Sequence, residues 1–266
     1  KSGTYKFFNS LSVDGLKQLT IRGEGQDKTV LLFSEQKMGA EGMIIKNVEG
    51  LTVKDFAIVD PKGDALKVQG CKDVKLQRLR VEWTDEDSLN GAYGLYPVTC
   101  ERVLMEDCLA YGASDAGIYV GQCKHVIVRR NLAERNVAGI EIENSFYVDV
   151  YQNKAYNNTG GLMIFDLPGL PVKNGGYVRV YENEAINNNH PNFSSKGITV
   201  AMVPAGTGSI IMATSNVEYY RNRIENNNTI NLAVVSYEVM QKPSNDPLYE
   251  MQPRAVSIYD NQFKTD

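Results

Sequence analysis

Hydrophobic residues recur along the chain in a short motif, a small residue or glycine followed by apolar–x–apolar. The glycine position of this motif falls at residues 42, 65, 94, 117, 139, 161 and 197, so the spacings are 23, 29, 23, 22, 22 and 36. Each copy alternates with period two, as β-strands do, and helical periodicity is missing from the repeated region. A unit of about 22 residues with occasional insertions predicts a repeat array of strands.

Each unit also contains a second alternating run that ends in asparagine. One register of such asparagines comprises Asn131, Asn153, Asn183, Asn222 and Asn261, and a second comprises Asn136, Asn158 and Asn188. Stacked at turns, each amide can hydrogen-bond the next and satisfy groups that would otherwise be buried unpaired. The pattern predicts an all-β, right-handed parallel β-helix of about 8–9 three-strand coils, with residues 1–266 forming a single domain.

Two further residue types repeat in register. Cys71, Cys100 and Cys123 share one position, which Ser145 occupies in the next unit. We interpret them as a stack of buried thiols, with a disulfide between adjacent coils as the alternative. An outward column is expected for Tyr151, Tyr181, Tyr220 and Tyr259, interpreted as stabilising packing rather than ligand binding.

Composition narrows the possible partners. A net charge of −4 gives no electrostatic case for nucleic acid, and no apolar run approaches the roughly 20 residues that span a bilayer. The four cysteines lack C-x-x-C spacing and there are two histidines, which argues against a zinc or histidine-based metal centre.

Several runs resemble a known family. They are Asn90–Val98, Ser114–Gln122, Asn136–Asn144, Asn158–Gly169 and Val203–Gly208. They are similar to an uncharacterised bacterial parallel β-helix repeat family and, more distantly, to the pectin-lyase-like superfamily, whose members include enzymes that cut or epimerise acidic polysaccharides. The resemblance implies an extracytoplasmic protein, periplasmic, secreted or lipid-anchored. It also implies an N-terminal cap before residue 1. No lyase or epimerase motif is found, so the resemblance supplies no catalytic residue.

Alternation within the first motif assigns side chains to the two faces of a strand. If Ile140 and Ile142 point inward, then Glu141 and Glu143 point outward. One outward column is then Ile44, Lys67, Tyr96, Tyr119, Glu141, Met163 and Thr199. Its neighbour is Lys46, Gln69, Val98, Gly121, Glu143, Phe165 and Ala201. Inserted loops at 84–92, 167–176 and 203–215 are expected to wall this face into a groove.

The groove carries the candidate chemistry. The predicted catalytic residues are Glu141, Glu143, Asp115 and Lys67, and the predicted substrate-binding residues are Tyr96, Tyr119, Gln122, Asn144, Phe165 and Asp166. Glu141 and Glu143 have Cα atoms roughly 6.5–7 Å apart, which suits either retaining or inverting glycoside hydrolysis. Their mutual repulsion should raise the pKa of one of them, as a general acid requires.

A metal-dependent alternative uses the same residues. Asp115, Glu141, Glu143 and Asp166 would bind Ca²⁺, the one cofactor the pattern suggests, while Lys67 or a tyrosine removes a proton from a uronate. In a third interpretation, these residues are ordinary solvent-exposed side chains of a sheet and have no role in binding or catalysis.

The leading hypothesis is an extracytoplasmic hydrolase or lyase acting on a polysaccharide or oligosaccharide. Its rival is a non-catalytic module that binds a glycan or protein, or a subunit of a cell-surface complex, and a third hypothesis is a purely structural role. A sheet edge or the terminal coil could receive a protein partner.

Overall fold

The repeat units form stacked coils in the computed structural model, which describes residues 1–85 and 88–265. Every strand pairing within that part of the chain is parallel, and the chain is a right-handed parallel β-helix. The predicted fold is confirmed. Among the same residues, no helix has the length and apolar character needed to cross a membrane.

Three faces of parallel strands surround the core. Sheet 1 contains nine strands among the described residues, one for each coil, at the upper end of the predicted 8–9. These are β2 (Asn9–Asp14), β5 (Met38–Lys46), β7 (Leu66–Gln69), β9 (Tyr93–Val98), β12 (Ala116–Gly121), β15 (Ala138–Glu143), β18 (Gly160–Phe165), β21 (Thr207–Met212) and β24 (Ile230–Val235).

The other two faces are joined by two long strands, β6 (Glu49–Val59) and β8 (Lys72–Glu82). Sheet 2 otherwise consists of β3 (Lys17–Arg22), β10 (Glu101–Glu106), β13 (Lys124–Arg129), β16 (Phe146–Tyr151), β19 (Gly176–Tyr181), β22 (Ser215–Tyr220) and β25 (Val256–Tyr259). Sheet 3 consists of β1 (Gly3–Lys6), β4 (Thr29–Leu32), β11 (Leu109–Tyr111), β14 (Leu132–Glu134), β17 (Lys154–Tyr156), β20 (Glu184–Ile186), β23 (Arg223–Glu225) and β26 (Gln262–Lys264).

Both asparagine ladders form as predicted. In the first, the Nδ2 of Asn131 donates to the Oδ1 of Asn153 at 2.9 Å, and three further links of 3.0 Å continue to Asn261. The second ladder runs from Asn136 to Asn188 with links of 3.0 Å and is extended by Asn227. The residue that adopts the left-handed backbone conformation is the one before each ladder asparagine, such as Arg130 or Gln152, and not the asparagine itself.

Cys71, Cys100 and Cys123 form the expected stack of buried thiols, and these three and Cys108 are all free. The backbone N–H of Cys71 donates to the sulfur of Cys100 at 3.4 Å, and that of Cys100 to Cys123 at 3.3 Å. Ser145 continues the column by accepting the Cys123 N–H at 3.0 Å. Each thiol therefore caps a turn in the way that an asparagine does elsewhere.

The tyrosine column is also present. The rings of Tyr151, Tyr181, Tyr220 and Tyr259 stack with centroid separations of 4.8, 5.0 and 5.0 Å and nearly parallel planes. These rings pack mainly against one another, which agrees with the stabilising interpretation.

One repeat was assigned wrongly from sequence. Thr199 and Ala201 are not in the outward columns, because Thr199–Met202 is a short 3₁₀ helix, η1, in an inserted segment. The strand of that coil is β21. The N–H of Gly206 donates to the carbonyl of Asn188 at 2.7 Å, so the chain rejoins the coil where it left it and residues 189–205 loop outside. The local alternation is the same in both segments, and only pairing with β18 selects the later one.

We expect Asn153→Ala to destabilise the protein by about 3 kcal/mol, because it removes four side-chain hydrogen bonds and leaves buried backbone groups unpaired. Urea unfolding measures the change. Asn228→Ala, at an exposed asparagine, is the control and should shift the free energy of unfolding by less than about 0.5 kcal/mol. Equal effects would contradict a structural role for the ladder.

A second prediction concerns the thiols. Since all four are buried and unpaired, a reductant should leave the melting temperature unchanged, and a thiol reagent should react slowly with the folded protein. In denaturant without reductant, four thiols per chain should titrate. A count of two would show a disulfide.

Candidate functional site

Two inserted segments fold over the outer face of sheet 1. The first covering segment, residues 189–205, packs Ile198, Val200 and Val203 around Tyr119 and Met163. It is braced from within by Asn192, whose Nδ2 donates to the carbonyls of Val200 and Val203, both at 3.0 Å.

The second covering segment, residues 236–255, begins with the 3₁₀ helix η2 (Tyr237–Met240). Tyr237, Met240 and Tyr249 pack with Met212 and Phe165. The Tyr249 hydroxyl donates to the carbonyl of Asp166 at 2.7 Å. Together the two segments convert an outward sheet face into an interior one.

The sequence-predicted walls were therefore only partly right. Residues 167–175 do form a loop, whereas 207–212 of the predicted 203–215 loop is β21. Of the predicted 84–92 loop, residues 86–87 lie outside the described residues.

A cavity of about 540 Å³ lies between sheet 1 and the covering segments. Three carboxyl side chains line it, from Asp115, Glu141 and Glu143, and most of the remaining lining is apolar. Its volume is within the range that accommodates a small organic ligand. The sheet thus brings three of the four predicted catalytic residues into one enclosure.

Glu141 lies on β15 beside Tyr119 on one neighbouring strand and Met163 on the other. It points away from the core but is only 4% exposed. Burial, followed by the nearby charges of Asp115 and Glu143, raises the pKa of Glu141 well above its usual value. Burial therefore favours the protonated form of Glu141 over its carboxylate.

Glu143 has a different environment two residues further along the strand. The hydroxyl of Tyr119 donates to its Oε2 at 2.6 Å, which opposes the rise in the pKa of Glu143 caused by burial. Gly121 makes this contact possible, because a Cβ there would lie 2.4 Å from the Tyr119 ring. The hydrogen bond favours the ionised form of Glu143.

Asp115 precedes β12 at the edge of the same cavity. Burial raises its pKa to about 7, and a hydrogen bond with the Tyr93 side chain acts in the opposite direction. Tyr93 belongs to a tyrosine cluster with Tyr96 and Tyr119, with ring centroids 4.5–4.9 Å apart. The predicted aromatic residues Tyr96 and Tyr119 therefore pack in this cluster rather than presenting open faces to solvent.

The fourth predicted catalytic residue lies elsewhere. Lys67 is three coils from Glu141 in the same outward column and does not line the cavity. Its Nζ lies 3.8 Å from Glu41 and 5.0 Å from the centroid of the Tyr96 ring. At about 4.8 Å per coil, Lys67 and Glu141 are on the order of 14 Å apart.

Of the six predicted binding residues, Phe165 lines the cavity, while the other five, Tyr96, Tyr119, Gln122, Asn144 and Asp166, do not. Asn144 is fully buried, and its amide bonds the backbone of Leu167 and Val172 at 2.8–3.0 Å. The Oε1 of Gln122 accepts the Val172 N–H at 3.4 Å. These two side chains hold the 167–175 loop.

Asp166 is 1% exposed and lies beneath that loop. Its Oδ1 accepts from the Thr214 hydroxyl at 3.3 Å, and burial raises its pKa to about 7. In the described part of the chain, no three His, Cys, Asp or Glu side chains are placed to share one metal ion. Asp115, Glu141, Glu143 and Asp166 therefore do not form the shared carboxylate cluster that the calcium alternative expected.

Sequence reasoning missed the apolar half of the site. Ile198, Val200 and Met240 come from the covering segments, and the sequence signal for the first segment was the repeat spacing of 36 residues. Lengths of this kind reveal an insertion but not where it folds.

Comparison with known families agrees with the architecture. A family model described as right handed beta helix region matches residues 35–174 and 90–264. The chain belongs to this family. A comparison with curated protein sequences finds no match.

Solved structures share the right-handed β-helix at low identity. The A-module of mannuronan C-5 epimerase AlgE4 from Azotobacter vinelandii is 14% identical, with TM-score 0.57, covering 99% of this chain and 85% of that one. Endopolygalacturonase I from Stereum purpureum is 12% identical, with TM-score 0.56 and coverages of 99% and 89%. The Streptococcus pneumoniae surface adhesin PfbA is 12% identical, with TM-score 0.57 and coverages of 98% and 81%.

The raised pKa of Asp115 predicts how stability depends on pH. The unfolded chain releases this proton near 3.8, whereas the folded protein keeps it to about pH 7. The folded state binds more protons across that interval, so stability should fall as pH rises through it. Asp115→Asn should reduce the loss of unfolding free energy over this pH interval by on the order of 4 kcal/mol, since each pKa unit corresponds to about 1.4 kcal/mol.

Melting temperatures between pH 4 and 8 test this expectation. Glu24→Gln, at an exposed position, serves as the control and should keep the wild-type slope. An Asp115→Asn variant with an unchanged slope would show that Asp115 does not retain its proton.

Proposed function

We propose that this protein is a glycoside hydrolase that acts on a polysaccharide or oligosaccharide, with Glu141 as general acid and Glu143 as the second carboxyl group. The observation that carries the proposal is the contrast between two neighbouring carboxyl groups in one cavity. Burial raises the pKa of Glu141, whereas Glu143 accepts a tyrosine hydrogen bond that favours its ionised form. Glycosidases need this division between an acid and a carboxylate.

In the proposed reaction, Glu141 protonates the oxygen of the glycosidic bond as it breaks. In the retaining route, Glu143 bonds to the anomeric carbon as the alcohol leaves, and water deprotonated by Glu141 then cleaves that bond and releases the sugar. In the inverting route, Glu143 takes a proton from the water that attacks the anomeric carbon directly. In both routes, the Tyr119 hydroxyl stabilises the carboxylate of Glu143. The anomeric form of the first product, read by NMR, distinguishes retention from inversion. Above about pH 7, where Asp115 is ionised, its charge adds to the effect of burial in raising the pKa of Glu141.

Hydrolysis is favoured over the lyase alternative by the position of Lys67. A lyase needs a base beside the sugar and a cation to neutralise the uronate carboxylate. Lys67 is three coils away and paired with Glu41, and none of the described residues lining the cavity is Lys, Arg or His. A tyrosine base is disfavoured because burial raises the pKa of Tyr93 and Tyr119.

A location outside the cytoplasm is part of the proposal. Its support is by analogy with proteins of the same fold, among them one described as a periplasmic alginate epimerase and one described as a surface adhesin. Proteins of the same fold include a mannuronan C-5 epimerase, a lacto-N-biosidase and an endopolygalacturonase, which supports a glycan as the substrate by analogy.

The deciding experiment replaces each glutamate with glutamine and measures the release of reducing ends from a polysaccharide panel. Glu141→Gln and Glu143→Gln should each lower kcat by about 10²–10⁴-fold. Glu141→Gln should fold normally, because glutamine matches glutamic acid in size and carries no charge that burial would penalise. Glu218→Gln, at an exposed position on sheet 2, is the matched control and should keep full activity.

Wild-type activity that survives both cavity substitutions would overturn the catalytic assignment. Products that absorb as unsaturated uronates would instead support a lyase.

A non-catalytic glycan-binding module is the second candidate. The observation favouring it is the extent to which the covering segments shield the carboxyl groups, since Glu141 and Glu143 are 4% and 7% exposed. Binding of oligosaccharides that is equal in wild type and Glu141→Gln, with no turnover in either, would support this function.

A further inference from the structure

We infer that the sugar unit bound in the cavity is uncharged and carries an apolar group beside the scissile bond, and that uronates are excluded. The inference rests on the proposed function and specifies its substrate class. It follows from the charges and the apolar surface of the cavity, which oppose the acidic substrates that the fold resemblance implies.

The charged side chains that line the cavity are all acidic. None of the described lining residues is Lys, Arg or His, while Asp115, Glu141 and Glu143 contribute three carboxyl groups. Two lysines outside the lining are engaged in ion pairs, Lys67 with Glu41 and Lys173 with Asp246. A uronate would bring an additional negative charge into a space that already contains Glu143 and has little water to screen it.

The apolar surface then limits how polar the sugar can be. Side chains such as Met163, Phe165, Ile198, Val200 and Met240 make up much of the lining. Apart from the carboxyl groups, side-chain polar groups in the lining come from Tyr93, Thr199 and Thr207, and the hydroxyl of Thr207 already donates to Pro204 at 2.7 Å. A fully hydroxylated sugar would therefore leave hydroxyl groups without partners, at a cost in binding free energy.

An apolar group removes this conflict. It can belong to the sugar itself, as an acylamino or deoxy substituent, or to the leaving group, as an aliphatic or aromatic aglycone. Both present the same chemistry to the cavity, which is an uncharged glycoside with a non-polar part beside Glu141.

Calorimetric titration of Glu141→Gln with defined ligands tests the inference without depending on turnover. The ligands are N-acetylchitotetraose, cellotetraose, tetragalacturonate and octyl β-glucoside. We expect N-acetylchitotetraose or octyl glucoside to bind at least about 100-fold more tightly than tetragalacturonate. Preference for the first identifies the sugar substituent as the apolar group, and preference for the second identifies the aglycone.

Equal or tighter binding of tetragalacturonate would overturn the inference and leave the hydrolase proposal standing. Tightest binding by cellotetraose would overturn the requirement for an apolar group. Binding of none of the four ligands would overturn the inference as well, and activity of the wild type on the polysaccharide panel would then decide the hydrolase proposal separately.

A gain-of-function variant provides an independent test. Thr199 lines the cavity from η1, so Thr199→Lys should place a cation there and tighten tetragalacturonate binding at least about 10-fold. Ser257→Lys adds the same charge at an exposed position on sheet 2 and should have no effect. Equal changes in both variants would mean that net charge, not the cavity, controls binding, and would overturn the inference.

Discussion

The whole structure depends on one constraint, that every coil must place its turn groups directly above those of the next coil. Turns in a solenoid are buried between neighbours, so their N–H and carbonyl groups need partners from the coils on either side. Asparagine meets the requirement by accepting from one coil and donating to another, as Asn153 does between Asn131 and Asn183. Cysteine and serine fulfil part of the same role at a third turn.

This constraint also explains how a site can be built on an outward face. Register fixes which residues are neighbours across coils, and it places Tyr119 beside Glu141 and Gly121 beside Glu143. Without a side chain at Gly121, the tyrosine ring can lean across and reach the second glutamate. Two carboxyl groups that are equivalent in the alternation thus acquire different environments. The covering segments strengthen this difference because they exclude water from around the two carboxyl groups.

Most of the fold could be predicted from sequence because ladders and alternation are local signals that repeat. The prediction for residues 196–200 was wrong because that segment has the alternation of a strand without the pairing of one. The strand β24 was missed for the opposite reason, since it pairs as a strand but has Asn231 where most other coils have glycine. For the candidate site, alternation grouped Glu141, Glu143 and Phe165 correctly. It gave no account of burial, because burial comes from residues 189–205 and 236–255, whose packing is not encoded in the period of the repeat.

The point at which the first covering segment leaves and rejoins the helix has a wider consequence. Because Gly206 bonds back to Asn188, the excursion opens and closes at a single turn, and the coils above and below pair as though it were absent. Lengthening or rewriting such a segment alters the walls of the cavity at little energetic cost to the scaffold. The scaffold and the binding specificity can therefore change independently in evolution. The ladders preserve the stacked coils, while substitutions in residues 189–205 alter the shape of the cavity.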